Sequence, residues 1–323
     1  ILLTGGAGYI GSHTAIKFIE NNCNVTIIDS LITGSKKLIP KEANFISSDI
    51  ADKEKLSNIL KKNNFDLVLH FAAFTKVGES VQNPEKYYEN NYEKSKVFFD
   101  LCIKNKITNI IFSSTGSVYG NVNGENILES SKTSPINPYS KSKLKVEEHL
   151  KELTSKKLIN SISLRYFNVA GADYKLRSGL MSNPDNLIKA ICEVMNGKRP
   201  ELVVNGNNYD TKDGTTIRDY IHVSDLAEMH YLASIDIIKN KTKKLEIFNC
   251  GYGHGFSIMD VIRAMQEVTN KKINFKYGPP RIGDADFSVA NIDKFKKKFN
   301  WNPKFDDLKI ILKSALDWEK NCN

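Results

Sequence analysis

The hydrophobic positions of this chain fall into short, nearly unbroken runs. Longer stretches separate them, and there apolar residues recur every three or four positions. The runs are "ILLT" (Ile1 to Thr4), "NVTIID" (Asn24 to Asp29), "ANFISSDI" (Ala43 to Ile50), "DLVLHFAA" (Asp66 to Ala73), "NIIFSSTGSVYG" (Asn109 to Gly120) and "SISLRYFNVAG" (Ser161 to Gly171). Strands that read as continuous apolar segments are buried on both faces, the condition of a parallel sheet. Between them the spacing predicts helices over Gly11 to Asn22, Lys53 to Asn63, Asn90 to Lys104 and Pro138 to Lys156. The repeated β-α-β order predicts an α/β chain with a doubly wound parallel sheet, the Rossmann arrangement.

Beyond Gly171 the pattern loosens. Pro, Gly and Asn punctuate "SGLMSNPDN", "NGNNYDTKDG" and "YGPPRIGDADF", which predicts a smaller, loop-rich α/β domain. "RDYIHVSDLAEMHYLAS" reads as a strand, a cap at Ser224 and a helix that returns to the sheet. The expected division is 1–171 for the sheet domain, with 218–250 returning to it, and 172–323 mainly for the second domain.

Composition narrows the function classes. A hydrophobic share of 41% with 26% charged residues is that of an ordinary globular protein. The net charge of +9 comes from lysines scattered along the chain. A nucleic-acid binder would gather them into a stripe with aromatics between, so the excess is read as lysine bias with some attraction for anionic ligands. The five cysteines are odd in number and hold no CxxC pair, and the six histidines show no metal spacing. Reduced thiols in a cytoplasmic setting are expected, with no disulfide framework and no metal site. No apolar run reaches membrane-spanning length, and the chain opens without a leader pattern.

Three stretches carry candidate chemistry. "TGGAGYIG" places Gly5, Gly8 and Gly11 between the first strand and the first helix. Glycines there let the backbone approach a pyrophosphate, whose charge the helix N-terminus favours. Asp29 closes the second strand, where a carboxylate accepts from ribose hydroxyls and repels a 2′-phosphate. NAD is therefore favoured over NADP, although Lys36 and Lys37 stand nearby. In "NPYSKSKLKVEEHL", Tyr139 and Lys143 lie four apart and share one helix face. Alone, that spacing also fits a solvated helix start, with Lys141 turned away. Ser113, Ser114 and Thr115 end a strand, the end that faces the ligand crevice in open α/β folds.

A Ser/Thr-Tyr-Lys set combined with NAD resembles the extended short-chain dehydrogenase/reductases. Within that branch the chain resembles the UDP-glucose (galactose) 4-epimerases over nearly its whole length. The likeness rests on "TGGAGYIGSHT", "HFAAFTKVGESVQNPEKYYENN", "SSTGSVYG", "NPYSKSKLKVEE", "LRYFNVAGA", "DGTTIRDYIHVSDLA", "NCGYGHGFS" and "WNP".

The resemblance implies a set of roles. Tyr9 and Ile10 would lie along the NAD pyrophosphate, Asp29 and Ser30 at the adenosine ribose, and Asp49 and Ile50 at adenine. Phe71, Ala72, Ala73 and Asn91 would line the dinucleotide, and Phe167 would border the nicotinamide. Tyr139 would be the acid/base, with Lys143 beside it on the nicotinamide ribose and Thr115 as the catalytic hydroxyl. Asn168, Asn186, Leu187, Val203 and Asn205 would contact the UDP moiety. Arg218 and Arg281 would clamp its pyrophosphate, and Asp284 its ribose. Thr75 stands where the family has a lysine, with Lys76 next to it. Asn205 replaces a family aromatic. Ser288 falls where a bulky tyrosine narrows the sugar pocket in strict glucose/galactose enzymes, so N-acetylated UDP-sugars are expected substrates too.

The expected reaction is epimerisation through a 4-keto sugar, serving galactose metabolism and nucleotide-sugar supply. Tyr139 takes the sugar 4-OH proton, helped by a phenol pKa that the Lys143 ammonium pulls below about 10. The expected assembly is a homodimer paired through the helices at 90–104 and 138–156. A dehydratase would carry an acidic pair where this chain has Gly116 and Ser117. A UDP-glucuronate epimerase or decarboxylase, a net-oxidising dehydrogenase and a non-catalytic NAD-binding protein remain as alternatives at this level.

Overall fold

A computed structural model of the chain describes residues 1–122, 126–181, 186–240, 244–281 and 284–322; part of the loops expected around 178–186 and 277–287 lies outside them. The first half contains β1 (Leu2–Thr4), α1 (Tyr9–Glu20), β2 (Thr26–Asp29), β3 (Asn44–Ser47), α2 (Lys53–Lys62), β4 (Val68–His70), α3 (Val77–Gln82), α4 (Pro84–Tyr87), α5 (Lys94–Lys104), β5 (Asn109–Thr115), α6 (Pro138–Ser155) and β6 (Asn160–Tyr166). Next come β7 (Asn168–Ala170), α7 (Leu187–Met195), β8 (Leu202–Asn205), β9 (Ile217–Arg218), β10 (Tyr220–His222), α8 (Val223–Lys239) and β11 (Leu245–Cys250). The chain ends with β12 (Phe256–Ser257), α9 (Ile258–Thr269), β13 (Phe275–Gly278), β14 (Phe287–Ser288), α10 (Asp293–Phe299) and α11 (Leu308–Asn321).

These elements form two compact units. The first comprises Ile1–Val118, Pro135–Arg165 and Ala227–Phe248; the second comprises Tyr119–Ser134, Tyr166–Leu226 and Asn249–Asn323.

The first unit is built on a seven-stranded sheet in the order β11-β6-β5-β4-β1-β2-β3, and the strands from β5 to β3 pair in parallel. The order reverses beside β1, so a crevice opens at the carboxyl ends of β1 and β4. The continuous apolar runs are explained by burial: Leu2, Leu3, Val68, Leu69, Ile110 and Ile111 have no exposed surface. One face is closed by α2, α5 and α6, whose Leu56, Leu60, Phe98, Phe99, Val146 and Leu150 pack on Leu2, Ile28, Val68 and Phe112. Each such side chain, fully buried, contributes about 1.5–3 kcal/mol by leaving water.

Two local expectations change. The helix expected over Asn90 to Lys104 begins as a π-helical turn, Tyr88–Glu93, and becomes α-helical only at Lys94. Such turns are frequent at functional sites, and here Asn91 is buried. The other is Ser224. Helix α8 starts at Val223, so Ser224 lies inside the first turn, and its amide donates to His222 Nδ1 at 3.1 Å.

Among the described residues the second unit holds three small sheets: β7 with β10, β12-β9-β14, and β8 with β13. Their strands are two to four residues long, too short to register as periodicity.

Candidate active site

The turn after β1 is built for close backbone approach. Gly5 has φ +71°, and a Cβ there would sit 2.6 Å from the Ala72 amide nitrogen. A Cβ on Gly11 would meet the Gly5 carbonyl oxygen at 2.4 Å, so the helix and the turn can pack only without side chains. Gly8 is the N-cap of α1, no side chain caps the helix, and its first turn carries no acidic residue. An uncapped, acid-free helix start beside a glycine turn is a cradle for a pyrophosphate. Tyr9 and Ile10, both half-buried, form its first turn.

Asp29 ends β2 and is 8% exposed. Its Oδ2 accepts from the Ala7 amide at 3.0 Å and its Oδ1 from the Leu31 amide at 2.8 Å. Leu31 has φ +61°, a left-handed turn that this second bond secures. Burial raises the Asp29 pKa against the two amide bonds. Its first role is thus to shape the turns on either side of it, with further lone pairs left for ribose hydroxyls. Ser30, next to it, is exposed. Asp49 Oδ2 pairs with Lys94 at 2.6 Å and its Oδ1 accepts from the Ala51 amide at 2.8 Å, while Ile50 is buried.

After β4, the half-buried Phe71, Ala72 and Ala73 follow the strand, and Phe71 donates its amide to the Thr4 carbonyl at 2.9 Å. Asn91 was expected to line the dinucleotide. Its amide clamps the backbone of Phe74: Oδ1 accepts from the Phe74 nitrogen at 2.8 Å and Nδ2 donates to the Phe74 oxygen at 3.0 Å. Nδ2 also reaches Ser142 Oγ at 3.1 Å, tying this loop to α6. Thr75 and Lys76 are exposed, and the Lys76 amide donates to Tyr87 Oη at 3.1 Å.

The catalytic set lies at the carboxyl end of β5. Thr115 is buried there and hydrogen-bonds Tyr139, the second residue of α6, whose start is fixed by Pro138 and by Asn137 Oδ1 accepting from Ser140 N at 2.9 Å. One turn on, Lys143 is buried; its Nζ donates to the Ser113 carbonyl at 2.5 Å and stands over the Phe112 ring, 4.6 Å from its centroid.

The electrostatics differ from the sequence reading. The Lys143 ammonium was expected to depress the Tyr139 phenol. In the protein by itself, burial raises the phenol pKa, and the counteracting influence is the Thr115 hydrogen bond. Lys143 is perturbed as well: burial lowers its pKa from 10.5 to about 7, opposed by the charge of Glu147. The reason is direction, because the lysine points at the strand carbonyl.

Glu147, one further turn along α6, is 3% exposed. It accepts from Ser114 Oγ at 2.5 Å, and Arg165 of β6 grips it through Nε at 2.9 Å and Nη2 at 2.5 Å. Neither Glu147 nor Arg165 was singled out in the sequence, although Tyr139, Lys143 and Glu147 continue one four-residue spacing. His70 was missed as well. It is buried between Thr4 Oγ1 (2.7 Å) and Ser95 Oγ (2.9 Å), and its pKa falls to about 3 through burial and the Lys143 charge.

In the second unit, Arg218 and Asp284, expected on separate parts of a nucleotide, pair with each other. Arg218 Nη2 donates to Asp284 Oδ1 at 2.5 Å and to the Ala285 carbonyl at 2.6 Å. Asn205, with its carbonyl oxygen toward Arg281, accepts from Nε at 2.9 Å and Nη2 at 3.2 Å. Asn186 caps α7, accepting from the Lys189 amide at 3.0 Å, and Leu187 follows it. Val203 is exposed on β8, and Asn168 is exposed at the start of β7, while Phe167 before it is buried. Ser288 lies in β14 in register with Arg218 of β9.

A residue missed in this unit is Asp219, fully buried beside Arg218. It accepts from the amides of Tyr252 (2.8 Å), Gly253 (3.0 Å) and Ala290 (3.2 Å), and burial raises its pKa to about 6. Its backbone bonds to Asn168 N and Ser288 O, so it organises the strands that carry both.

Residues 1–251 match the model of the NAD dependent epimerase/dehydratase family. A UDP-glucose 4-epimerase of Azospirillum brasilense is 40% identical over 99% of this chain and 92% of its own length. A solved UDP-glucose-4-epimerase from Stenotrophomonas maltophila, with bound NAD and formylated UDP-arabinopyranose, superposes with a TM-score of 0.95 at 32% identity, covering 99% of this chain and 98% of its own. The UDP-Glc/GlcNAc 4-epimerase of Campylobacter jejuni gives 0.85 at 40% identity over 99% of each chain.

Proposed function

The chain belongs to the NAD dependent epimerase/dehydratase family, and on that premise we propose that it is a UDP-glucose 4-epimerase interconverting UDP-glucose and UDP-galactose. The observation that carries the reading is the Tyr139 hydroxyl held by Thr115, one helical turn from the buried Lys143. The relatives named above support the substrate class.

The glycine turn, the uncapped start of α1 and Asp29 fit a dinucleotide, with Phe71 to Ala73 beside Gly5 and Asp49 and Ile50 farther along the sheet edge. Bound NAD supplies reversible acceptance of the hydrogen at sugar C4. The residues of the chain handle the proton. Tyr139 takes it from the 4-hydroxyl and returns it after the sugar has presented its other face; Thr115 hydrogen-bonds the same oxygen. The raised phenol pKa means that Tyr139 alone holds its proton too firmly to be a base near neutrality. The Thr115 hydrogen bond is the influence within the chain that favours the phenolate.

UDP recognition is assigned to Asn168, Asn186, Leu187, Val203, Asn205, Arg218, Arg281 and Asp284 of the second unit. Arg218 and Asp284, now paired, would exchange that contact for phosphate and ribose oxygens, which a guanidinium fork and a carboxylate suit. Acceptance of UDP-GlcNAc and UDP-GalNAc is proposed on Ser288, whose small side chain leaves room at the sugar C2, and the dual-substrate neighbour from Campylobacter jejuni supports it.

The reading extends to a homodimer and to a cytoplasmic place in galactose metabolism. The five free cysteines suit a reducing compartment, and among the described residues no helix is long and apolar enough to cross a membrane. Incubation with UDP-galactose tests the function. UDP-glucose should appear to equilibrium with no added NAD, and absence of product from protein that carries NAD would reject it.

A further inference from the structure

Three consecutive residues at the end of β5 hold three residues of α6 spaced one turn apart. Thr115 bonds the Tyr139 hydroxyl, the Ser113 carbonyl accepts from Lys143 Nζ, and Ser114 Oγ donates to Glu147 Oε1. The proposed function uses the first two and leaves the third unexplained. We infer that Glu147 is a positioning residue of the catalytic helix, gripped by Arg165 and Ser114 so that its carboxylate sits one turn from Lys143 and balances that cation in the core.

A carboxylate this deeply buried needs hydrogen-bond and charge partners. Glu147 has a bidentate guanidinium and a hydroxyl, which satisfy three of its acceptor sites. Lys143 is 2% exposed, and its Nζ donates to a neutral carbonyl. The ionisable neighbours facing it are Tyr139 and Glu147 on its own helix and His70 on β4, while Arg165 of β6 faces Glu147. His70 is neutral and a phenol is neutral until it reacts, so Glu147 is the negative charge left to balance the lysine. The lowering that Lys143 already shows would go further without it.

The inference rests on the epimerase reading for its catalytic consequence, and two readouts separate them. The titration of Lys143 is followed by NMR of its ε-methylene group in wild type and in Glu147→Gln, each as the full chain. The variant should titrate about 1–3 pH units lower, the usual effect of one charge within a few ångströms. In turnover of UDP-galactose, the alkaline limb of kcat should move down in pH with KM within twofold, since the second unit is untouched. If Glu147→Gln does not fold, Glu147→Gln/Arg165→Met removes both charges of the pair and should show a downward shift of the same sign. An unmoved Lys143 titration in whichever variant folds would overturn the inference, as would a pH-independent loss of kcat. A wild type inert toward UDP-sugars whose Lys143 titration still moves would reject the epimerase reading and keep Glu147.

Discussion

Lys143 Nζ donates to the carbonyl oxygen of Ser113, so the cation of the Tyr-Lys pair is anchored on the sheet. Burial has pushed its pKa to about 7. The folded state therefore holds this proton less firmly than the unfolded chain, whose lysine titrates near 10.5. Stability from this group is greatest above about pH 10.5; it falls as pH is lowered toward 7, and below 7 the penalty is fully present. Lys143→Met should consequently be more stable than wild type at pH 6.5, by up to roughly 5 kcal/mol and less where the cavity relaxes, yet much less active. Urea midpoints at pH 6.5 and pH 10 check the sign: the gain should shrink at the higher pH, and a gain that grows would refute the assignment.

Tyr139→Phe removes the proton-handling oxygen while leaving the ring in place. kcat for UDP-galactose should fall about 10²–10⁴-fold, the range for a general acid/base, with NAD still bound to the purified protein. Thr115→Val, which removes the hydrogen bond that lowers the phenol pKa, should shift the acidic limb of kcat upward. Near-normal turnover by the phenylalanine variant would remove Tyr139 from the mechanism.

His70 sets part of the acid stability of the first unit. Its folded pKa of about 3 lies below its ordinary 6.5, so its contribution is fully present above pH 6.5 and is lost as pH falls toward 3. Asp219, with a pKa raised to about 6, acts with the opposite sign between its ordinary 3.8 and 6, so the histidine must be isolated by comparison. Over pH 6.5 to 4, the slope of unfolding free energy against pH should be less positive in His70→Asn than in wild type, by up to about one proton. Equal slopes from urea titrations followed by far-ultraviolet circular dichroism would contradict it.

Ser288→Tyr should close the proposed space for the 2-acetamido group. The ratio of UDP-GlcNAc to UDP-galactose turnover should fall at least about tenfold, since steric rejection of a bulky group amounts to 1–3 kcal/mol or more. Wild-type protein that turns over UDP-galactose and leaves UDP-GlcNAc untouched would show that position 288 does not govern the choice.

The sheet and the cofactor cradle were legible because each depends on local pattern. Runs such as Val68–His70 are apolar throughout because both sheet faces are covered, and Gly5 and Gly11 are constrained by backbone within a few ångströms. What stayed hidden depends on contacts between distant residues. The Lys143 amine could be placed on the Tyr139 face from spacing, but that it bonds the Ser113 carbonyl requires the packing of α6 on β5. The Arg218–Asp284 pair joins residues 66 apart through a two-residue strand that has no periodicity. Asn91 was placed in the right stretch, and its clamp on Phe74 follows from a π-helical turn, which no spacing rule announces. Glu147 alone could have been found, by extending the Tyr139–Lys143 spacing one more turn.

The central claim is that one sugar carbon is oxidised and reduced again on the same protein, with Tyr139 handling only the proton. UDP-galactose carrying deuterium at C4 tests this directly. After conversion in ordinary water, the UDP-glucose formed should retain the deuterium at C4 in full, by NMR or mass spectrometry, and NADH should not accumulate in solution. Label lost to solvent, or oxidised product formed with release of NADH, would contradict the account.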